Sequence, residues 1–162
     1  MSTRHLPPLF ECTDYASFVA GGGALATLAG VDDNDLTVIY RQAAADFAAG
    51  RWPQAEAGFR LVATLDVWHY EAWLSLGHCL GRRADYRNAL FCFIKAGIVR
   101  PSEPQPPFYA AQAYVRLGRR DEALTAFAAA LRQTGDRDDY QGLRRAAREQ
   151  IDTLTRSTES VT

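Results

Sequence analysis

The sequence predicts an all-α chain in which one helix–turn–helix unit occurs three times. Displaced by 34 residues, the chain returns the same residue types without a gap. The columns are Ala43, Gly77 and Ala111; Gly50, Ala84 and Gly118; Ala55, Ala89 and Ala123; Phe59, Phe93 and Phe127; and Val62, Ala96 and Ala130. Within each copy the apolar residues recur at helical spacing on either side of the small turn residue, as at Trp73 and Leu76 and then at Ala89, Phe93 and Ala96. Several columns at one fixed period mark a repeat architecture.

The period and the residue types are those of a tetratricopeptide repeat. Tyr70–Pro101 is the copy with the clearest columns: Gly77 and Ala89 are small where the two helices cross, and Trp73, Leu76, Tyr86 and Phe93 fill the space around the crossing. Pro101 cannot continue a helix and ends the second one. Repeats are expected at 36–69, 70–103 and 104–137, stacked in a right-handed superhelix. Pro53 falls at the start of a second helix, where its missing N–H costs nothing. Pro104, Pro106 and Pro107 are expected to give the third repeat an extended, stiff entry before Phe108 starts its helix. Arg120 stands where Trp52 and Tyr86 stand in the other copies, consistent with a wetter outer face on the last repeat.

Outside the repeats, residues 1–35 form an N-terminal segment. Thr13 or Asp14 can cap a short helix carrying Tyr15, Phe18 and Val19, which ends at Gly21-Gly22-Gly23. A second short helix, 24–29, offers Leu25 and Leu28, and Asp32-Asp33-Asn34 caps a helix over about 35–49. Short helices with one apolar stripe need a partner, so Tyr15, Phe18, Val19, Leu25 and Leu28 are candidate dimerisation residues. At the other end, Tyr140, Leu143, Ala147, Ile151 and Leu154 give 138–155 the pattern of a capping helix over the open end of the array, and 156–162 is a polar tail.

Several function classes are excluded or disfavoured. At 162 residues with 48% hydrophobic and 23% charged residues, the chain is long enough for one ordinary globular core. A formal net charge of −1 gives no footprint for nucleic acid or an anionic membrane. Three cysteines, Cys12, Cys79 and Cys92, without a Cys-x-x-Cys pair argue against a disulfide framework or zinc site. His5, His69 and His78 share no metal-ligand spacing, and no nucleophile, base and orienting group fall in a recognisable pattern. The glycine triplet lacks the following lysine of a phosphate loop. The stretch 18–31 is too short and too broken to span a membrane. The expectation is a soluble, cytoplasmic, non-enzymatic protein with no cofactor and no metal.

What a repeat array offers is the surface of its first helices. Residues one, four, eight and eleven positions after each repeat start face a concave groove. They are Thr37, Tyr40, Ala44 and Phe47; Glu71, Leu74, His78 and Gly81; and Gln105, Phe108, Gln112 and Val115. Tyr40, Phe47, Leu74 and Phe108 also admit a reading as core. Because the crossing positions already fill the core, an apolar strip with polar punctuation reads as a peptide groove. An adaptor or scaffold role, or that of a transcriptional co-regulator, is the competing reading.

Four segments resemble the class II chaperones of bacterial type III secretion. The glycine-bearing leader Phe18–Leu28 is similar to their N-terminal helix, and Phe47–Ala55 to the turn of their first repeat. Leu65-Asp66 with Leu74–Cys79 is similar to their second-repeat opening, and Pro104–Ala111 to their Pro-Phe-x-Ala-Ala stretch. The resemblance implies a cytoplasmic chaperone for hydrophobic translocator proteins that holds an extended client segment, with spaced prolines and a leucine, in its groove. It implies a homodimer formed through the N-terminal helices and, in some members, a transcription factor as a further partner. Tyr40, Phe47, Leu65 and Leu74 carry over as groove residues. Ala44 is smaller than the aromatic of relatives, and Val67 replaces a residue that is often polar.

Overall fold

A computed structural model describes residues 23–159. These form eight α-helices and one short 3-10 turn, with no strand among the described residues. The chain divides into two compact units, Met1–Ala72 and Trp73–Thr162. Tyr15, Phe18 and Val19 lie outside the described residues.

In the first unit, α1 (Leu25–Ala29) ends at Gly30, whose φ of 68° is the left-handed turn only glycine adopts freely. α2 (Asp33–Ala48) starts two residues earlier than the sequence pattern suggests, because Asp32 and Asp35 form a reciprocal capping box. The Asp35 N–H donates to Asp32 at 2.8 Å and the Asp32 N–H donates to Asp35 at 3.2 Å. α3 (Trp52–Leu65) carries Pro53 in its first turn, as the sequence predicts. α2 and α3 cross closely: a Cβ on Gly58 would stand 2.6 Å from the Ala43 Cβ. Ala43, Ala55, Phe59, Val62 and Ala63 are buried around that crossing. Asp46 is buried beside the turn and is held by Arg51, whose guanidinium approaches to 2.7 Å.

α4 (Tyr70–Arg82) contains the boundary between the units. In the second unit it pairs with α5 (Tyr86–Val99), and α6 (Gln105–Arg116) pairs with α7 (Arg120–Thr134). A Cβ on Gly77 would stand 2.5 Å from the Phe93 ring, so the glycine is required by the crossing. After a 3-10 turn at Asp138–Tyr140, α8 (Gln141–Glu159) packs against α7. Its Ala147 is buried with Phe108, Ala111, Phe127 and Ala130, and Leu143, Ile151 and Leu154 pack against them.

Two expectations are corrected. Pro104, Pro106 and Pro107 do not make an extended entry: α6 begins at Gln105, with Pro104 as its N-cap and Pro106 and Pro107 inside the first turn. First-turn N–H groups have no helical acceptor, so prolines there lose nothing, and their fixed φ already suits a helix. Arg120 is not on a wetter outer face. Its guanidinium donates to the Leu154 carbonyl of α8, through Nε at 3.0 Å and through a second, shorter bond, so it ties the cap to α7.

The turn column has one cause. Gly50, Ala84 and Gly118 all have positive φ, at 75°, 60° and 71°. Ala84 meets this requirement with a Cβ, which costs about 1–2 kcal/mol, and glycine gives back part of that through unfolded-chain entropy. Ala84→Gly is therefore expected to raise unfolding free energy by about 0.5–1 kcal/mol, read by chemical denaturation. An unchanged or lower midpoint would contradict the strain at Ala84.

Candidate peptide-binding face

In the first unit the face is built on Phe59. That ring is buried at the crossing, and the two aromatics of α2 lean on it: Tyr40 at 5.3 Å between centroids and Phe47 at 6.4 Å. Tyr40 also stacks on His69 at 5.2 Å with planes 28° apart, and Phe47 meets Trp52 edge-on at 5.0 Å. With Ala44 between them, Tyr40 and Phe47 form one helical stripe whose members are all half-buried. The alternatives of core and groove therefore merge, since each ring packs inward on Phe59 and is only half-buried. Leu65, Val67 and Glu71 are also half-buried. His69 is a residue that repeat spacing missed. Its Nδ1 accepts the Ala72 N–H at 3.2 Å, which caps α4 and fixes the ring under Tyr40. Its place just before a helix was the available signal.

In the second unit Phe93 takes the part of Phe59. His78 meets Tyr109 edge to face at 4.3 Å and Phe93 at 5.5 Å, while Phe93 and Tyr109 are 5.6 Å apart. Burial pushes the His78 imidazolium down from its ordinary value, and the nearby Arg82 charge acts in the same direction. Burial also raises the Tyr109 phenol. Leu74 and Gly81 are half-buried, and a Cβ on Gly81 would meet no atom within 4 Å, so that stretch of α4 is open. Gln112 is exposed and Val115 is half-buried against the core of α6–α8.

Phe108 is corrected from face to core. It is 8% exposed and sits edge-on to Phe127 at 5.6 Å, in the cluster that α8 closes. Tyr109, its neighbour in sequence, is the aromatic that joins His78 instead. Leu25 is half-buried in α1, and Leu28 lies in the same helix with its side chain outside the described part. Among the described residues, no three His, Cys, Asp or Glu side chains gather as a metal site. No described helix is long and apolar enough to cross a membrane.

No family model matches the chain. It is 27% identical over 127 residues to the low calcium response locus protein H of Yersinia pestis, covering 78% of this chain and 76% of that one. The type III secretion translocator chaperone SycD of Yersinia enterocolitica superposes with a TM-score of 0.75 at 22% identity, covering 82% of this chain and 99% of that one. PcrH in complex with the chaperone binding region of PopD superposes with a TM-score of 0.76 at 25% identity, covering 80% and 97%. PcrH is also known with the chaperone binding region of PopB. The chain is similar in sequence and fold to the translocator chaperones of type III secretion.

The histidine at 78 has a measurable consequence. A histidine held below its ordinary 6.5 takes up its proton more readily when unfolded. Its contribution to stability is complete above about pH 6.5 and is lost as pH falls through the depressed value. Wild type is expected to lose more stability than His78→Gln between pH 7 and pH 5, read by urea denaturation at each pH. Parallel losses in the two proteins would remove His78 from the pH response.

Proposed function

We propose that this chain is a cytoplasmic, non-catalytic type III secretion chaperone that keeps a hydrophobic translocator soluble by holding an extended segment of it. The observation that carries the reading is the match to PcrH, a protein known bound to chaperone binding regions of PopD and PopB. The aromatic stripe Tyr40–Phe47 and the His78–Tyr109 pair agree with it. They offer flat apolar surface beside hydrogen-bonding groups, which suits a peptide whose backbone still needs partners. We assign client contact to Tyr40, Ala44, Phe47, Leu65 and Glu71 in the first unit, and to Leu74, His78, Gly81, Gln112 and Val115 in the second. Tyr109 joins the second set. A homodimer formed through the N-terminal segment and a transcription factor partner complete the proposal and rest on the resemblance.

The test separates binding from folding. Tyr40→Ala with Phe47→Ala also strips aromatic pairs from Phe59, each worth about 0.5–1.5 kcal/mol, so loss of function there is ambiguous by itself. Gly81→Trp is the sharper probe. Its Cβ would meet no atom within 4 Å and it replaces a glycine in the last turn of α4, so the melting temperature should hold or rise. Co-expressed with a hydrophobic translocator from the same organism, wild type should keep the client soluble, and both Tyr40→Ala/Phe47→Ala and Gly81→Trp should leave most of it in the pellet. If Gly81→Trp solubilises the client as well as wild type, the α4 face is not where the client sits.

A further inference from the structure

The aromatic face of the first unit is an uninterrupted ladder of rings. His69 stacks on Tyr40, Tyr40 and Phe47 both lean on Phe59, and Phe47 meets Trp52. His69, Tyr40, Phe47 and Trp52 are all half-buried, so each shows part of its ring at the surface. Tyr40 and Phe47 stand about 10 Å apart along α2 at 1.5 Å per residue. Arg41 flanks the stripe, one turn before Ala44 on the same side of the helix. It is exposed and in no ion pair among the described residues.

The chain's own residues 4–11, Arg-His-Leu-Pro-Pro-Leu-Phe-Glu, lie outside the described residues and match that face in chemistry and spacing. Pro7 and Pro8 have no N–H and a φ fixed near about −65°, which favours polyproline II over helix or strand. In that form one turn takes three residues and about 9 Å, so Leu6 and Leu9 share an edge at nearly the Tyr40–Phe47 spacing. Proline-bearing segments of this form dock on aromatic-lined grooves, because little of their freedom remains to be lost. Glu11 follows Phe10 and supplies a carboxylate for Arg41. The connection is long enough. Ala24 lines one pocket with Asp33 and Leu36, so the described chain starts beside the first turn of α2, and Tyr40 is one turn beyond Leu36. Residues 12–23 join Glu11 to Ala24 and span about 40 Å when extended, or about 30 Å when half of them are helical. A flexible tether of that length holds the segment near the face at roughly millimolar effective concentration.

Resting on the reading of Tyr40 and Phe47 as a peptide-binding face, we propose that residues 6–11 cover that face in their own chain until a client displaces them. Leu9 lies on Tyr40, Leu6 on Phe47, and Glu11 beside Arg41. Charge and tether set the same direction: Glu11 is at the end of the segment nearest Ala24, and Arg41 is at the end of the stripe nearest Asp33. Such a cover has a physical use. Apolar rings at a surface invite association between chains, and a weak contact within the chain shields them. A client then binds with its intrinsic Kd divided by the fraction of chains whose face is open, so the competition stays modest.

The full-length chain tests this without a translocator. Cys79 and Cys92 are buried, so a nitroxide reagent modifies Cys12, the residue after Glu11. In the nitrogen-15 chain that label should broaden the amide signals of residues 40–47, and Leu6→Ser with Leu9→Ser should remove the broadening. Spin-labelled chain without isotope, mixed with nitrogen-15 chain without label, should leave the same signals sharp. A fluorescein-tagged peptide of residues 2–12 should bind the Leu6→Ser/Leu9→Ser chain at least about fivefold tighter than wild type, whose own segment competes. Its Glu11→Lys version should bind about twofold to fivefold weaker, and Arg41→Glu in the chain should reverse that order. Sharp signals in the labelled wild type, or broadening that survives the two serines, would overturn the assignment. Broadening in the mixed sample would do the same by giving the segment to a second copy. So would equal peptide binding by wild type and the Leu6→Ser/Leu9→Ser chain, or a peptide order that Arg41→Glu leaves unchanged. Broadening together with a failed client-solubility test would keep the segment on α2 and remove the client, so the two readings fail separately.

Discussion

The constraint on which the rest depends is the distance between the two helices of each pair. At Gly58 the backbone of α3 comes so near Ala43 that a Cβ would lie 2.6 Å from the Ala43 methyl, and at Gly77 the Phe93 ring occupies the Cβ position. Burying a phenylalanine contributes about 1.5–3 kcal/mol, and forcing one methyl into such a contact costs about 1–3. The two are equal in size, so one side of the crossing has to be small for the ring on the other side to stabilise anything. Once Phe59 and Phe93 are fixed there, they become floors. Tyr40 and Phe47 rest on one, and His78 and Tyr109 rest on the other. The rings available to a ligand owe their rigidity to a packing rule that has nothing to do with ligands.

That dependence explains which parts were legible in sequence. Helix positions, the turn column and the floor residues recur at a fixed period because each copy solves the same crossing. Ala84 is read correctly as a turn residue even though it is not glycine, because its column fixes the role and its φ of 60° agrees. What escaped is whatever depends on a neighbour that does not recur. Phe108 has the face position of its repeat, yet α8 lies against that repeat and closes it over with Phe127 and Ala147. Arg120 breaks its column for the same reason, since the carbonyl of Leu154 is an acceptor that only the last repeat meets. Three prolines near one helix start suggest an extended chain only if the first turn is assumed to need its N–H groups, and it does not.

His69 and His78 show how similar surroundings produce different uses of one residue type. Both lie against aromatic rings. His69 is committed through Nδ1 to the Ala72 N–H, so it acts as a helix cap that also orients Tyr40. His78 touches rings edge-on and has a cation, Arg82, one turn away, so its neutral form is favoured by burial and by charge together. A neutral imidazole beside a phenol presents one donor and one acceptor without net charge. Such a pair can serve the backbone of an uncharged extended segment and does not call for a counter-charge from it.

The two flanks of α6 then differ in kind. On the side of His78, Tyr109 and Gln112 the polar groups both donate and accept. On the side of Asp121 and Gln133 lie a carboxylate, the Tyr114 phenol and the Gln133 Oε1, which is buried without a partner. A helix twelve residues long separates the two, and the difference arises because residues two apart on a helix point nearly opposite ways, as Ala110 and Gln112 do. The flanks border different neighbours: α4 and the rings above Phe93 on one side, and α5 and α7 on the other.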